Sequence, residues 1–200
     1  MLISFSQYPS LLRITQDIGR HEAGHYIIGR CLGFKMDYIT IELLDFMGAH
    51  NGEASVILPQ PIATLDTLLT YAENRVQMLY AGSLAEALGP SGINNIVASD
   101  ILKNKGGKFD FDKIRELIHI IRNIKYPSDA TDAESQAHLT AIDEDMLRRT
   151  AELVTAEAAI ITGLGRRIAS EVKEMRHKYT ITTATISSLP AIIARFNWFS

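Results

Sequence analysis

Much of the chain consists of stretches in which hydrophobic residues recur every three or four positions, the spacing of one helical face. Residues 15–32 form the first strong stretch, in which Ile18 and His25 fall on the same face. Thr15 is suited to the N-cap of this helix, and Gly33 stands where helices commonly end. The pattern therefore predicts a helix over residues 15–32 whose inward face carries a histidine.

Two shorter stretches alternate with a period of two residues. Residues 36–44 (MDYITIELL) are rich in β-branched side chains, and residues 52–58 (GEASVIL) follow a turn that contains Gly48. Pro59 ends the second stretch. This arrangement predicts two strands that form a hairpin or part of a small sheet.

The remainder of the chain is predicted to be mostly helical, with a further extended segment at residues 180–183, where β-branched residues cluster. The predicted helices are residues 65–88, 96–103, 111–123, two helices within 133–179 that are interrupted at Gly163 and Gly165, and residues 186–196. The sequence thus predicts an α+β fold that is predominantly α-helical, with a small antiparallel β-sheet.

Length and composition are those of an ordinary globular chain. The 200 residues are 46% hydrophobic and 22% charged, which is typical of one domain or at most two. No segment is rich enough in Gly, Pro or Ser to indicate a linker, so we expect a single domain over residues 1–200. The net charge of -3, with lysines and arginines scattered among acids, argues against nucleic acid or an anionic membrane as a partner.

Cys31 is the only cysteine, so no disulfide can form within the chain, which fits a reducing compartment. Residues 1–12 lack the charged start and the long apolar centre of a signal peptide. No apolar stretch reaches the roughly 18 residues that span a bilayer. We therefore expect a cytoplasmic protein that has no membrane partner.

The residues with the clearest chemical meaning are the pentapeptide HEAGH at positions 21–25. Histidines four positions apart on a helix project from consecutive turns of one face, close enough to share a metal ion. Glu22 lies about 100° around the helix from His21, so it reaches the space beside the ion without binding it. The spacing predicts that His21 and His25 bind Zn²⁺, and that Glu22 is the catalytic base that activates a zinc-bound water in a metallopeptidase.

The pentapeptide leaves two structural questions open. Gly24 inside a helix costs about 1 kcal/mol relative to alanine, which indicates that another backbone passes close to it. A catalytic zinc site also needs a third protein ligand, with the fourth position left for water. Cys31 lies too far along the helix to serve, and it is expected to pack as a small hydrophobic residue. The third ligand must therefore come from elsewhere in the chain.

HEAGH is the characteristic zinc motif of the FtsH family of peptidases, and later parts of this chain resemble that family too. The resembling segments are the strand, turn and strand of residues 36–58, AGSLAEA at 81–87, which resembles the family's AGR-x-AEE helix, and GGKFD at 106–110, which resembles its GA-x-x-D segment. The resemblance covers residues 19–123 and implies a zincin-like metallopeptidase core. The aspartate of the family's GA-x-x-D segment is the third zinc ligand, so the resemblance implies that Asp110 completes the site.

Departures from the family's pattern leave other candidates for the third ligand. Ser83 stands in place of an arginine, Ala87 in place of the second glutamate, and Gly107 in place of an alanine. An aspartate at a helix N-terminus such as Asp110 can also be a simple capping residue. The competing ligands are Asp112, Asp100 and Glu86, of which the last is better suited to orient a histidine from behind.

Proteases of the FtsH family carry an ATPase module and membrane anchors ahead of the peptidase domain. This chain starts about twenty residues before HEAGH and contains no G-x-x-x-x-G-K-[ST] sequence. The resemblance therefore implies a free-standing peptidase domain, with a zinc-binding catalytic core at residues 1–125 and a helical part at residues 126–200. We expect it to hydrolyse peptide bonds in proteins or peptides without ATP. The sequence does not indicate an oligomeric state.

Two other functions fit the same sequence, a non-catalytic module in which zinc stabilises an interaction surface, and a regulatory protease with one dedicated protein target. The intact Glu22 argues against the first, because a structural zinc site needs no base.

If the strand at residues 52–58 lies at a sheet edge near the metal, an extended peptide could add to it. His119 lies in an apolar helical stretch and is expected to be a satisfied or surface histidine, and His50, His138 and His177 have no partner at ligand spacing.

Overall fold

The computed structural model describes residues 8–196, which form the predicted α+β structure with a predominance of helix. The helices are α1 (Pro9–Cys31), α2 (Leu65–Glu86), α3 (Asn95–Asn104), α4 (Lys108–Lys125), α5 (Asp132–Ala156), α6 (Ala158–Glu171), α7 (Thr183–Ser187) and α8 (Pro190–Phe196). The strands are β1 (Lys35–Leu43), β2 (His50–Ile57), β3 (Leu88–Gly89), β4 (Gly92–Ile93) and β5 (Tyr179–Thr182). The two ends of the domain predicted for residues 1–200, residues 1–7 and 197–200, lie outside the described residues.

Helix α1 begins earlier than the sequence pattern predicts. Its first residue is Pro9, whose fixed φ angle suits the first helical turn. The prediction that Thr15 caps the helix is wrong, because Thr15 is fully buried inside α1 and its hydroxyl donates a hydrogen bond to the Leu11 carbonyl at 2.7 Å. The HEAGH segment therefore lies in the middle of a long helix, where the backbone is held by hydrogen bonds on both sides.

The predicted hairpin is confirmed. Strands β1 and β2 pair antiparallel, with Ile41 opposite Gly52. Strand β5, which corresponds to the predicted extended segment at residues 180–183, pairs antiparallel with the other side of β1. In the part of the chain that the structure describes, the order β2-β1-β5 leaves β2 at an edge of the sheet. Helix α1 packs against both β1 and β2, so this edge lies beside the HEAGH helix.

Helix α2 packs against α1 and runs in the opposite direction. It begins with a capping box formed by Thr64, and Asn74 near this start donates a hydrogen bond at 3.2 Å to the Leu32 carbonyl at the end of α1. The two backbones meet at Gly24, where an added β-carbon would lie 2.5 Å from the carbonyl oxygen of Ala81. The prediction that another backbone passes close to Gly24 is confirmed.

The helical region predicted at residues 133–179 does form two helices, but its break is elsewhere. The break between α5 and α6 falls at Glu157, and Gly163 and Gly165 both lie inside α6. A β-carbon at Gly19 of α1 would lie 2.5 Å from the carbonyl oxygen of Gly165. Gly165 therefore marks a close contact between α1 and α6, and the prediction that these glycines interrupt a helix is wrong.

Further boundaries differ from the prediction, since α2 ends at Glu86 and not at residue 88, and α6 ends at Glu171 and not near residue 179. Helix α4 starts at Lys108, before the predicted residue 111, so Asp110 lies in its first turn. The last predicted helix, residues 186–196, is two short helices, because Pro190 has no backbone N–H to donate and disfavours a helical residue before it.

A cluster of buried apolar side chains joins the helices to the sheet. It includes Tyr26 of α1, Ile39 of β1, Leu84 of α2, Ile114 of α4 and Met146 of α5. Across residues 8–196 no helix is both long enough and apolar enough to cross a bilayer. The core thus fixes α1, α2 and α4 relative to one another, and these are the helices that carry the candidate site.

We predict that Gly24→Ala destabilises the protein by about 1–3 kcal/mol, because the new methyl group would press against the α2 backbone. The matched control is Gly163→Ala. Gly163 is also helical, but an added β-carbon there meets no atom within 4 Å, so alanine should stabilise by up to about 1 kcal/mol. Urea unfolding of both variants checks this, and a Gly24→Ala variant as stable as wild type would contradict it.

Candidate metal centre

His21 and His25 project from consecutive turns of α1 toward the same point. Their ring centroids are 4.8 Å apart, and each residue is only 7% exposed. Burying two polar rings next to each other costs free energy unless both find partners. The structure supplies those partners from α2 and α4.

The Nδ1 atom of each histidine is anchored by α2. His21 Nδ1 lies 2.9 Å from Oε2 of Glu86, and His25 Nδ1 lies 2.8 Å from the carbonyl oxygen of Met78. Because Nδ1 donates its hydrogen to these acceptors, Nε2 is the atom left on each ring to bind an ion. Glu86 contacts the back of a histidine, the position suggested for it by its sequence context, and does not contribute to the cluster on the Nε2 side.

Asp110 meets both histidines on the Nε2 side. Its Oδ2 atom is 3.1 Å from His25 Nε2 and 3.6 Å from His21 Nε2. The three ligand atoms lie within 4.8 Å of one another, so this group could hold a metal ion. Asp110 reaches this point because α4 begins at Lys108, which places the aspartate in the first turn of the helix.

Gly82 of α2 leaves the space in which the imidazoles meet. A β-carbon at this position would collide with His25 Nε2 and would lie 2.6 Å from His21 Nε2. The sequence around it, AGS, therefore combines close helix packing with room for the ring nitrogens. The cluster fits a divalent metal ion, because it offers two anchored imidazoles and a carboxylate and leaves open space in front of the Nε2 atoms.

The structure does not bring the other predicted candidates to this point. Asp100 forms an ion pair with Lys105 at 2.7 Å, and Asp112 is exposed. Cys31 is partly buried at the far end of α1, where burial raises the pKa of its thiol to about 11. Cys31 therefore behaves as the packed residue that the sequence suggested.

The histidines other than His21 and His25 lie away from the cluster, except for His50. His119 is exposed on α4, His138 pairs with Asp129 at 2.9 Å, and His177 packs its ring against Tyr179. His50, at the start of β2, is close enough to the centre for its charge to lower the pKa of Glu22. Sequence reasoning missed His50, although its two-residue spacing from Gly52 places both on the same face of β2.

Glu22 is buried beside the cluster and faces the edge strand. It is 6% exposed, and an added β-carbon at Gly52 of β2 would collide with its Oε1 atom. Burial raises the pKa of Glu22, while the neighbouring His21 and His25 oppose that rise. Sequence reasoning missed Gly52, which is needed here because β2 passes directly over the glutamate.

Strong electrostatic coupling links the histidines to Asp110 when no metal is bound. Burial alone would lower the pKa of His21, but the neighbouring carboxylates of Asp110 and Glu86, of which Glu86 is hydrogen-bonded to the ring, raise that pKa to about 10. Burial opposes ionisation of Asp110, yet His25 and His21 hold the pKa of its carboxyl well below the usual range. The aspartate is thus a carboxylate under all ordinary conditions and is ready to bind a cation.

A cleft of about 540 Å³ opens onto the cluster. Its walls include His21, Glu22, His25 and Asp110, together with residues 52–56 of β2. Successive residues of a strand point to opposite faces, so a wall made of consecutive residues means that the free edge of β2 borders the cleft. The site therefore combines a possible metal centre, a buried carboxyl and an unpaired strand edge in one concave space.

Comparisons of the chain with protein-family models and with curated proteins found no match. The chemistry of the centre therefore rests on its own donors, which are two imidazoles and a carboxylate on three different turns of helix. In chemical terms this is a candidate metal centre with an adjacent acid–base group.

We predict that binding of a divalent metal ion, tested with Zn²⁺, displaces about one proton and strengthens as the pH rises from 6.5 to about 10. The folded, metal-free protein holds the His21 proton up to a pKa of about 10, whereas the ordinary value is 6.5. The stability that this proton contributes is full below pH 6.5 and is lost as the pH rises through 10. A metal must displace the same proton, so its apparent affinity changes in the opposite direction.

Titration calorimetry in buffers of different ionisation enthalpy measures this proton release. Glu86→Gln is the matched control, because it removes one of the two carboxylates that raise the His21 pKa. In this variant the pH range over which metal affinity rises should be narrower. An affinity that is independent of pH, with no proton released, would contradict the prediction.

We predict that Gly82→Ala lowers the affinity of the cluster for a divalent ion, tested with Zn²⁺, at least tenfold, because the methyl group would push the two Nε2 atoms out of position. Competition with a zinc-sensitive dye measures the affinity, and circular dichroism verifies that the helices remain. Gly163→Ala, a helical glycine far from the site, should bind zinc as wild type does. Equal affinities in the two variants would show that the imidazoles need no such space.

Proposed function

We propose that this chain is a zinc metallopeptidase with a zincin-like core similar to the peptidase domain of the FtsH family. The observation that carries the proposal is the position of Glu22. It is a buried carboxyl next to two histidines and an aspartate, in a cleft bordered by a free strand edge. A metal site with a purely structural role has no need of such a carboxyl.

The donor set supports zinc as the metal. Two imidazoles and one carboxylate are a known ligand set of catalytic zinc sites, which keep one position open. The same set also binds non-haem iron, but the adjacent Glu22 favours a hydrolytic metal because hydrolysis requires a base. Zinc held by His21, His25 and Asp110 would lower the pKa of a water molecule and polarise a peptide carbonyl.

Glu22 carries the proton transfers of the proposed reaction. Burial raises its pKa, and a carboxylate of higher pKa is a stronger general base. Its carboxylate takes a proton from the attacking water while the new C–O bond forms, and it then donates that proton to the amine as the C–N bond breaks. Glu86 and the Met78 carbonyl hold the two imidazoles in place throughout. No step of this reaction consumes ATP.

The substrate is proposed to bind as an extended peptide along β2. The free edge of this strand borders the cleft, and unpaired backbone groups at such an edge accept an added strand through main-chain hydrogen bonds. Gly52 lets the peptide backbone come close to Glu22, since there is no side chain between them. Unfolded, loosely folded or short peptides present the required extended conformation, and folded domains do not.

We predict that Glu22→Gln lowers the rate of casein and peptide cleavage by about a hundredfold or more, because the amide cannot accept the proton. Zinc affinity should stay close to that of wild type, since Glu22 does not belong to the ligand cluster. The matched control is Glu152→Gln. Glu152 is an exposed glutamate of α5 that pairs with Arg148, so full activity should remain.

Cleavage assays with zinc-loaded and chelator-treated protein measure both effects. A Glu22→Gln variant that binds one zinc ion and cleaves at the wild-type rate would exclude the proposed mechanism. If no form cleaves any substrate, while zinc raises the melting temperature and a protein partner binds, the chain is a zinc-stabilised binding module instead.

A further inference from the structure

Arg75 of α2 is a cation on the wall of the same cleft. It lies one turn before Met78, whose carbonyl anchors His25. Its side chain is partly buried, and one guanidinium nitrogen donates to the Met78 sulfur at 3.1 Å. A thioether is a weak acceptor, so residues 8–196 leave most of the donor capacity of this guanidinium unused.

Several other partly buried arginines of this protein are paired with acids, while Arg30 lies over the Phe196 ring. Arg122 pairs with Asp129, and Arg149 reaches Glu73 at 3.4 Å. Between residues 8 and 196, by contrast, Arg75 forms no ion pair with a carboxylate. The acid nearest to it in sequence, Glu73, is already used by Lys125 at 2.5 Å and by Arg149.

This unpaired charge is costly where it lies. Burial lowers the pKa of Arg75, with Tyr71 and Asp110 opposing the shift, yet an arginine stays protonated at neutral pH. A metal ion at the cluster would use the Asp110 carboxylate as a ligand and would add positive charge nearby. An anionic group entering the cleft would therefore offset the cost of burying the Arg75 charge by pairing with it.

A second cation also lines the cleft. This cation is Lys113, one turn after Asp110 on α4, and it has no ion pair within the described part of the chain. Glu53 of β2 also lines the cleft, and among the described residues it forms no ion pair with Arg75 or Lys113. The lining of the cleft also includes the apolar side chains of Val56, Leu58 and Met78.

We propose that Arg75, assisted by Lys113, forms a subsite for an acidic side chain, so that the substrates are peptides carrying Asp or Glu close to the scissile bond. This inference rests on the proposed peptidase function, because it treats the cleft as a peptide-binding site. The guanidinium suits a carboxylate, since its planar fork donates two parallel hydrogen bonds to the two oxygens.

The position of the acidic residue follows from the directions of the elements. Helix α2 meets His21 through Glu86 and His25 through Met78, so Arg75 lies beyond His25 toward the end of α1. Strand β2 runs in the same direction as α1. Gly52 lies beside Glu22, and Val56, four residues later, pairs with Met36, whose sulfur lies against Gly29 near the end of α1. A peptide antiparallel to β2 would therefore place the acidic residue on the N-terminal side of the scissile bond.

The test is a binding measurement with zinc-loaded Glu22→Gln protein, which is not expected to consume the peptide. The probes are fluorescent peptides of about ten residues with a central leucine, each carrying one glutamate at a different position, and each paired with a glutamine twin. On the N-terminal side of the leucine, the glutamate peptide should bind about tenfold more tightly than its twin. Adding Arg75→Gln should abolish this difference, and Arg75→Lys should retain part of it.

The matched control is Arg166→Gln, an exposed arginine of α6 outside the cleft, which should leave the tenfold preference intact. Zinc affinity is measured in every variant, because an arginine that only positions Asp110 would change metal binding and leave the peptide preference unaltered. Equal binding of the glutamate and glutamine peptides, or a preference that survives Arg75→Gln, overturns the subsite.

Failure of the subsite can be told apart from failure of the peptidase proposal. If wild type cleaves peptides but shows no preference for acidic residues in binding, the peptidase proposal stands and the subsite is wrong. If wild type cleaves nothing, while acidic peptides bind tenfold more tightly in an Arg75-dependent manner, the subsite stands and the cleft serves recognition alone.

Discussion

The close approach of α1 and α2 is the constraint on which the rest of the site depends. Gly24 lets the two backbones approach closely, and Gly82 leaves room for the two imidazoles. Helix α2 can therefore anchor the histidines of α1 through the Met78 carbonyl and Glu86. A wider separation would free both rings, and an imidazole that rotates freely is a poor ligand. The small residues of α2 are therefore as much a part of the centre as the ligands.

Local features of the site follow from sequence because helix geometry alone determines them. Two histidines four positions apart must share a face, and a glutamate next to the first must lie beside them, wherever the helix is located. The hairpin was predictable for a similar reason, since alternation and β-branching specify strands locally. Asp110 is different, because nothing in its own surroundings distinguishes it from Asp112. Only the resemblance to a family singled it out, and the structure brings Asp110 to the histidines.

What the sequence could not indicate depends on packing between distant segments. Arg75 looks like an ordinary helical arginine until Glu73 is seen to be occupied by Lys125 and Arg149. The break at Glu157 was assigned to glycines because glycine weakens helices, but here close packing against α1 outweighs that preference. Thr15 was misassigned for a similar reason, since a hydroxyl can bond to a carbonyl within a helix as well as at its end.

The origin of the three donors has a consequence for the chain as a whole. Two come from α1 and the third from the first turn of α4, with the hairpin and α2 between them in sequence. An ion shared by these donors is a reversible crosslink that closes a long loop, and such a closure removes conformational entropy from the unfolded chain. Cys31 has no second cysteine with which to provide a covalent equivalent. The concentration of available metal would then control how long the chain stays folded, in addition to controlling the proposed hydrolysis.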